Sequence, residues 1–291
     1  MEPPHPTFSS PTYKVYTKPS LDSPIPRPGK GWTRFLCVSD THRKPIPMVD
    51  GDILIHAGDF TTFTHGFKGA LNWIKELRIP QKVLIAGNHE FNLDVKCRNK
   101  LYEKVPEILA VGTPKMELDE DRAMLTDSSA IEAGLTYLEA GSASIPSGAH
   151  SDKEWSTYGS PYTPEYGTMG FSYSRDQENC ELLGSFARHK LRQPQAIWAP
   201  IPRDTEILVT HGPPLGILDI SRHGRSHVGC PGLAHTVQHR LQHVRLHVFG
   251  HIHEGRGVEI HQGAMGQDIV FVNAACQHHK NPLPIVVDLR N

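Results

Sequence analysis

The chain has 291 residues, a formal net charge of −1 and 38% hydrophobic residues. That balance leaves no long basic stripe for gripping nucleic acid and no run of about 18 apolar residues for crossing a membrane. The start of the sequence lacks the basic and apolar regions of a secretory signal. Five cysteines without a C-x-x-C pair read as reduced thiols rather than a disulfide framework, so the expected location is the cytoplasm or the nucleus.

Residues 1–30 are rich in proline and carry little periodic pattern, which predicts an irregular tail or an extended strap. From Trp32 onward the sequence reads as one domain over 31–291, because the informative motifs spread from Asp40 to His253. Short apolar runs with strand character alternate with helical stretches, the pattern of α/β packing. Asp52, ahead of the run Ile53-Leu54-Ile55-His56, reads as a cap or turn residue. Between Gly66 and Arg78 the residues Phe67, Ala70, Leu71, Ile74 and Leu77 follow the i, i+3, i+4, i+7 spacing of a helix. The stretch from about 113 to 175 begins acidic and turns rich in Ser, Gly, Pro and Tyr. It predicts an irregular substrate-side region with a few short strands, among them 134–140 and 168–174. Its Tyr158, Tyr162, Tyr166 and Phe171 are candidates for shaping the substrate mouth, with ordinary packing as the simpler role. Two further helices are expected over Gln177–Leu191 and Pro231–His243.

Five of the apolar runs end in residues that bind metals: FLCVSDTH (35–42), ILIHAGD (53–59), VLIAGNHE (83–90), EILVTHGPP (206–214) and HVFGHIHEG (247–255). A single polar residue after a strand is ordinary, and Gly-Asp or His-Gly-Pro-Pro alone marks a turn. Five in succession offer Asp40, His42, Asp59, Asn88, His211, His251 and His253, the oxygen and nitrogen donors that two divalent metals require. Two close cations need a ligand that touches both, and a carboxylate does this best; Asp59 is the candidate bridge. Asp40, His42 and His253 would complete one shell, and Asn88, His211 and His251 the other. A water-derived hydroxide held by the metals is then the nucleophile, with Asp59 and His89 as the catalytic residues. An imidazole with a pKa of about 6.5 suits His89 as acid to the leaving oxygen, and Asn88, His89 and His211 would face the substrate. If Asp40–His42 and His251–His253 are extended, residues i and i+2 point to the same side and both members of each pair reach one site.

The ordered blocks D-x-H, G-D, G-N-H-E, H-G-P-P and G-H-x-H resemble the calcineurin-like metallophosphoesterase superfamily. The fuller strings SDTH, AGDFT, GNHE, THGPPLG and VFGHIHEG, with a late NAA and PLPIVVDL, are more narrowly similar to the metallophosphoesterase-domain subfamily and its fungal relatives. The resemblance covers about residues 34–289 and is weak over about 113–205. It implies a four-layer α/β/β/α sandwich of two mixed sheets flanked by helices. It also implies a two-metal centre and hydrolysis of phosphodiesters or phosphomonoesters, cyclic nucleotides included. Some members of that subfamily carry Gly where this chain keeps His251. The expected cofactors are two divalent ions, Mn²⁺ foremost, with Fe, Zn or Mg also compatible with the donors. The expected partner is a small phosphate ester or nucleotide, and no heptad repeat marks an oligomerisation element.

Two other function classes compete. A low-turnover metal- and nucleotide-binding scaffold would keep the same donors, although retention of His89 and His251 speaks for turnover. A serine hydrolase is disfavoured by the missing G-x-S-x-G elbow and by the crowding of Ser39 against Asp40. With 19 histidines in the chain, isolated ones such as His65, His223, His227, His278 and His279 are read as solvated or hydrogen-bonded side chains outside the metal shell. Asn273, after a strand, either lines the site or serves a turn. Arg43 and Lys44 either touch phosphate or face solvent.

Overall fold

The computed structural model describes residues 4–62, 66–97, 115–148, 152–165, 169–174, 195–222 and 226–291. Its strands are β1 (Phe8–Ser9), β2 (Tyr13–Tyr16), β3 (Trp32–Val38), β4 (Ile53–Ala57), β5 (Gln81–Ile85), β6 (Leu135–Leu138), β7 (Gly141–Pro146), β8 (Glu154–Ser160), β9 (Thr163–Pro164), β10 (Ser172–Tyr173), β11 (Ile207–Thr210), β12 (Leu246–Phe249), β13 (Gly257–Gln262), β14 (Asp268–Asn273) and β15 (Ile285–Arg290). Helices are α1 (Phe67–Glu76), α2 (Lys115–Ala123), α3 (Ser128–Glu132), α4 (Gln195–Trp198) and α5 (Pro231–His239).

One sheet has the order β1-β2-β15-β3-β4-β5-β6 and the other β13-β14-β12-β11-β8-β7. In the first, β3, β4, β5 and β6 run parallel while β15 pairs antiparallel with β3 and β2. In the second, β8, β11, β12 and β14 run parallel, with antiparallel strands β7 and β13 at the edges. Both are mixed sheets, and each central strand is buried on both faces. In β4, Ile53, Ile55 and Ala57 face the core between the sheets, where they meet Val209, Val248 and Val272. The alternate residue Leu54 packs outward with Phe67, Leu71 and Ile74 of α1. On the far side Leu208, Phe249 and Phe271 pack against Trp198, Leu233 and Val237 of α4 and α5. The period of two along the strands therefore fills three apolar layers at once, and the α/β/β/α sandwich is the result.

The periodic helices lie where the spacing placed them, with α1 ending two residues before Arg78 and α5 four before His243. The helix expected over Gln177–Leu191 falls outside the described residues, as do His65, His223 and Tyr166. Two expectations are corrected. The amino-terminal segment is not all tail, because β2 pairs in register with β15, which places Val15 opposite Val287. Tyr13 and Val15 join the core between the sheets. The stretch 113–175 holds the two strands expected in it, β6 within 134–140 and β10 within 168–174, but is more regular than its composition suggested. It contributes α2, α3 and β6, and both β7 and β8 of the second sheet. Tyr158 and Phe171 are buried core residues, while Tyr162 packs beside Phe171 with ring centroids 6.0 Å apart. Asp52 takes its turn role by accepting from the Arg34 amide at 2.8 Å. Among the described residues no helix is long and apolar enough to cross a membrane.

One charged pair closes the first sheet. Arg34 on β3 and Asp288 on β15 are almost wholly buried and joined by two bonds of 2.7 and 2.8 Å. Two more guanidinium hydrogens reach back to the carbonyls of Ile25 at 3.0 Å and Pro26 at 2.8 Å. The same fork that satisfies a buried carboxylate thus straps the proline-rich segment to the sheet. Asp288→Ala leaves the Arg34 charge buried and unpaired, so urea denaturation should show a loss of about 3–5 kcal/mol. A loss under about 1 kcal/mol would show the pair to be dispensable.

Candidate metal centre

Every ligand candidate sits on a loop leaving the carboxyl end of a parallel strand: Asp40 and His42 after β3, Asp59 after β4, Asn88 after β5, His211 after β11, and His251 and His253 after β12. The two sheets face each other, so these loops gather at one edge of the sandwich. Three sets of donor atoms fall within 4.8 Å of one another: Asp40 with His42 and His253, His42 with Asp59 and His89, and Asp40 with Asp59 and His211. Asn88 adds its Oδ1, 2.9 Å from His211 Nε2 and 2.7 Å from His251 Nδ1. All seven predicted ligands and His89 come together.

The backbone reaches this arrangement by turning, which corrects the expectation of extended D-x-H and H-x-H segments. Asp40, His42, Asp59 and His251 all have positive φ, at 53°, 45°, 54° and 65°. Side chains rarely hold that conformation, and its cost concentrates here at the candidate ligands. Two glycines make the close approach possible. A Cβ at Gly87 would collide with Asp59 Oδ1 and the His211 ring, and one at Gly250 with Asp40 Oδ2 and Ser39.

Hydrogen bonds at the rear of each imidazole decide what its front offers. His211 Nδ1 lies 2.8 Å from the Ala57 carbonyl and His42 Nδ1 3.2 Å from that of Thr61. A carbonyl only accepts, so both Nδ1 atoms carry protons and both Nε2 atoms face inward. His211 Nε2 lies 3.3 Å from Asp59 Oδ1, and His42 Nε2 4.0 Å from Asp59 Oδ2. The two oxygens of Asp59 therefore face opposite halves of the donor set. Burial holds the His42 pKa below its ordinary value, and its buried Nε2 has no hydrogen-bond partner. A neutral nitrogen lone pair aimed past an orphaned gap at a carboxylate oxygen is an arrangement that a cation completes. The donor set is of the oxygen-and-imidazole kind that divalent ions accept.

Charge in the site points the same way. Asp40 and Asp59 are fully buried, which raises a carboxyl pKa, yet His253 and His211 reverse the effect and hold both below the usual range. Burial lowers the His211 pKa, but Asp59 outweighs it and lifts it to about 9, so the centre favours positive charge. At His251 burial prevails and lowers the pKa to about 4, leaving a neutral donor.

His89 donates its amide to Asp59 Oδ1 at 2.8 Å, and its Nε2 lies 3.9 Å from Asp59 Oδ2. Its ring meets that of His42 at 4.7 Å. His89 thus stands among the donor atoms as well as next to Asn88. Two residues gain roles that their types alone did not signal. Glu90, fully buried, accepts from the amides of Gly87 at 2.6 Å, Asp59 at 2.8 Å and Thr61 at 2.8 Å, and from the Thr61 hydroxyl at 2.7 Å. It ties the loop after β4 to the loop after β5. Burial and then Asp59 push its pKa up to about 7 against those donors. Asn273 donates to the carbonyls of Ile252 at 2.9 Å and Leu218 at 3.1 Å, so it positions the His251–His253 loop without facing the donors.

With the geometry in hand, the chain can be set beside known proteins. The family model for calcineurin-like phosphoesterases matches residues 33–255. Metallophosphoesterase domain-containing protein 1 of Homo sapiens and of Mus musculus is 36% identical to the chain over 291 residues, spanning 97% of this chain and 78% of theirs. A probable rhamnogalacturonate lyase C of Emericella nidulans is 36% identical over 231 residues, 78% of this chain but 18% of that protein. Among solved structures, the phosphopantetheinyl hydrolase of Mycobacterium tuberculosis covers 85% of this chain and 90% of its own, at 16% identity and a TM-score of 0.46.

Glu90→Gln keeps the shape but turns two of four acceptor contacts toward a donor amide. Stability should fall by about 1–3 kcal/mol, and Mn²⁺ affinity, read by titration calorimetry, about 10–100-fold. Unchanged metal affinity would show that Glu90 does not organise the site.

Proposed function

The chain belongs to the calcineurin-like phosphoesterase family, and on that premise we propose that it is a dinuclear metal-dependent phosphoesterase acting on small phosphate esters or nucleotides, phosphodiesters or phosphomonoesters. The observation that carries this reading is Asp59. Its two oxygens face His211 Nε2 at 3.3 Å and His42 Nε2 at 4.0 Å, and one carboxylate shared between two donor sets suits a bridge between two cations.

Asp40, His42 and His253 would hold one cation, Asn88, His211 and His251 the other, and Asp59 both. Two bound divalent ions, Mn²⁺ foremost and Fe, Zn or Mg within the range of the donors, supply a water of lowered pKa and neutralise charge on the phosphoryl group. The protein's own part is positional. Protonated Nδ1 atoms on His42 and His211 keep the Nε2 atoms inward, where that of His211 would give up its proton to a bound cation, and Glu90 fixes the spacing of the loops that carry Asp59 and Asn88. His89 is held by its amide on Asp59, and its ring stays one-fifth exposed at the mouth of the site. On this reading it gives a proton to the leaving oxygen while Asn88 and His211 line the phosphate.

Hydrolysis of bis-p-nitrophenyl phosphate and p-nitrophenyl phosphate is expected to vanish on chelation and to return with Mn²⁺. Asp59→Asn should lower kcat at least about a hundredfold. His89→Ala should cost about 10²-fold or more on an alkyl ester, whose leaving group needs a proton, and much less on the p-nitrophenyl esters. Folded, metal-loaded protein without turnover would favour the scaffold reading instead.

A further inference from the structure

Beside the candidate metal centre lies a cavity of about 530 Å³, walled by Lys44, Pro45, Ile46, His278, His279 and Lys280. Thr41, between the candidate ligands Asp40 and His42, also lines it, so cavity and centre share a wall. The opposite wall touches the centre too. The ring of His278 meets that of His253 at 5.2 Å, and His279 Nε2 lies 3.3 Å from the His253 carbonyl.

The wall is fixed rather than loose. Arg256 donates to the carbonyls of Ala274 at 2.8 Å and Ala275 at 2.9 Å on one side, and to that of Leu283 at 2.6 Å on the other. One guanidinium therefore clamps both ends of the 276–282 loop. The Cys276 amide adds a 2.8 Å bond to the Ser39 carbonyl, next to Asp40. Within the loop His278 and Asn281 hold positive φ, at 65° and 50°, a local cost of the kind that clusters at ligand sites.

The chemistry of the lining is one-sided. Lys44 and Lys280 bring two positive charges beside the imidazoles of His278 and His279, while no carboxylate among the described residues lines the cavity. Prolines and Ile46 supply an apolar floor. Such a chamber suits an apolar or ring-shaped spacer that ends in an anion.

We propose that this cavity is a subsite for a second anionic group of the substrate, so that the preferred substrate class is a phosphate ester carrying a further phosphate a short spacer away. This deepens the phosphoesterase reading above and rests on it. Lys44 and Lys280 hold the distal anion while the scissile phosphate lies at the metal centre, and the walls from Pro45 and His278 enclose the spacer.

The test is binding, so that it does not depend on turnover. Titration calorimetry on the Mn²⁺-loaded full chain compares adenosine 3′,5′-bisphosphate with adenosine 5′-monophosphate and adenosine 3′-monophosphate. The bisphosphate is expected to bind at least about tenfold tighter than either monophosphate, and the ratio should collapse to within about threefold in Lys44→Ala/Lys280→Ala. Both lysines are exposed, and a circular-dichroism melt checks that the variant folds as the parent does. A ratio near one in the parent, or an unchanged ratio in the double variant, overturns the subsite. Absence of ester hydrolysis alongside a preserved ratio would instead overturn the phosphoesterase reading and leave the subsite standing.

Discussion

Two carboxylates buried side by side are the constraint that the rest of this molecule answers to. Asp40 and Asp59 lie wholly out of solvent, within 4.8 Å of a common set of donors. Taking one such ion from water costs several kcal/mol even after relaxation. The compensation is assembled from all sides. The His251 amide reaches Asp40 at 3.0 Å and the His89 amide reaches Asp59 at 2.8 Å, while His253 and His211 face the same two groups. Asp40, Asp59 and His251, three of the residues that meet in these contacts, hold positive φ, a turn that a strand does not make. The negative charge of these two buried carboxylates is what would draw a divalent ion here.

That demand can be sustained only on a rigid platform. Parallel strands from two facing sheets deliver the loops to one edge, and three apolar layers fix the spacing of the strands. Between platform and ligands stand residues that touch no ligand in the metal's place but decide where the ligands are. Glu90 joins two loops within the first sheet, and Asn273 holds the last ligand loop of the second. His42 and His211, from opposite sheets, then meet across the oxygens of Asp59. A shift of one sheet against the other would pull them apart, so the integrity of the centre is tied to the core between the sheets.

The sequence disclosed most of the centre and less of its frame, for a physical reason. A ligand residue must have a particular chemistry, so Asp40, Asp59 and His253 announce themselves by type and by their place after an apolar run. A frame residue needs only to fit. Strand β8 reads as a scatter of Ser, Thr, Gly and Tyr, yet it is a sheet strand because Trp155 and Thr157 are buried. Gly159 likewise admits Leu138 and Ile85, which a side chain would displace. Strand β2 sits among prolines, and its partner β15 lies at the other end of the chain, a pairing no local pattern reveals. Glu90 was in plain view within Gly-Asn-His-Glu, but its role depends on amides brought by a different loop. The seven ligand types could be listed from the chain; the turned backbone that lets them converge could not.

Two further histidines show how the frame protects the charge balance. His56 on β4 bonds the Thr41 hydroxyl at 3.0 Å, between Asp40 and His42. His247 on β12 bonds the Thr210 hydroxyl at 2.8 Å, next to His211. Each sheet thus uses a buried imidazole on one strand to hold the threonine beside a ligand candidate, at or beyond the end of the neighbouring strand. Burial drives their pKa values down to about 4 and about 3. They therefore remain neutral at any pH above about 4. A lysine or arginine in the same positions would also hold the threonine, but it would bring fixed positive charge close behind the ligands and repel the cations they gather. Neutral imidazole satisfies the hydroxyl and leaves the negative potential of Asp40 and Asp59 undiminished. Burial, which makes the carboxylates costly, is also what keeps these two supports uncharged.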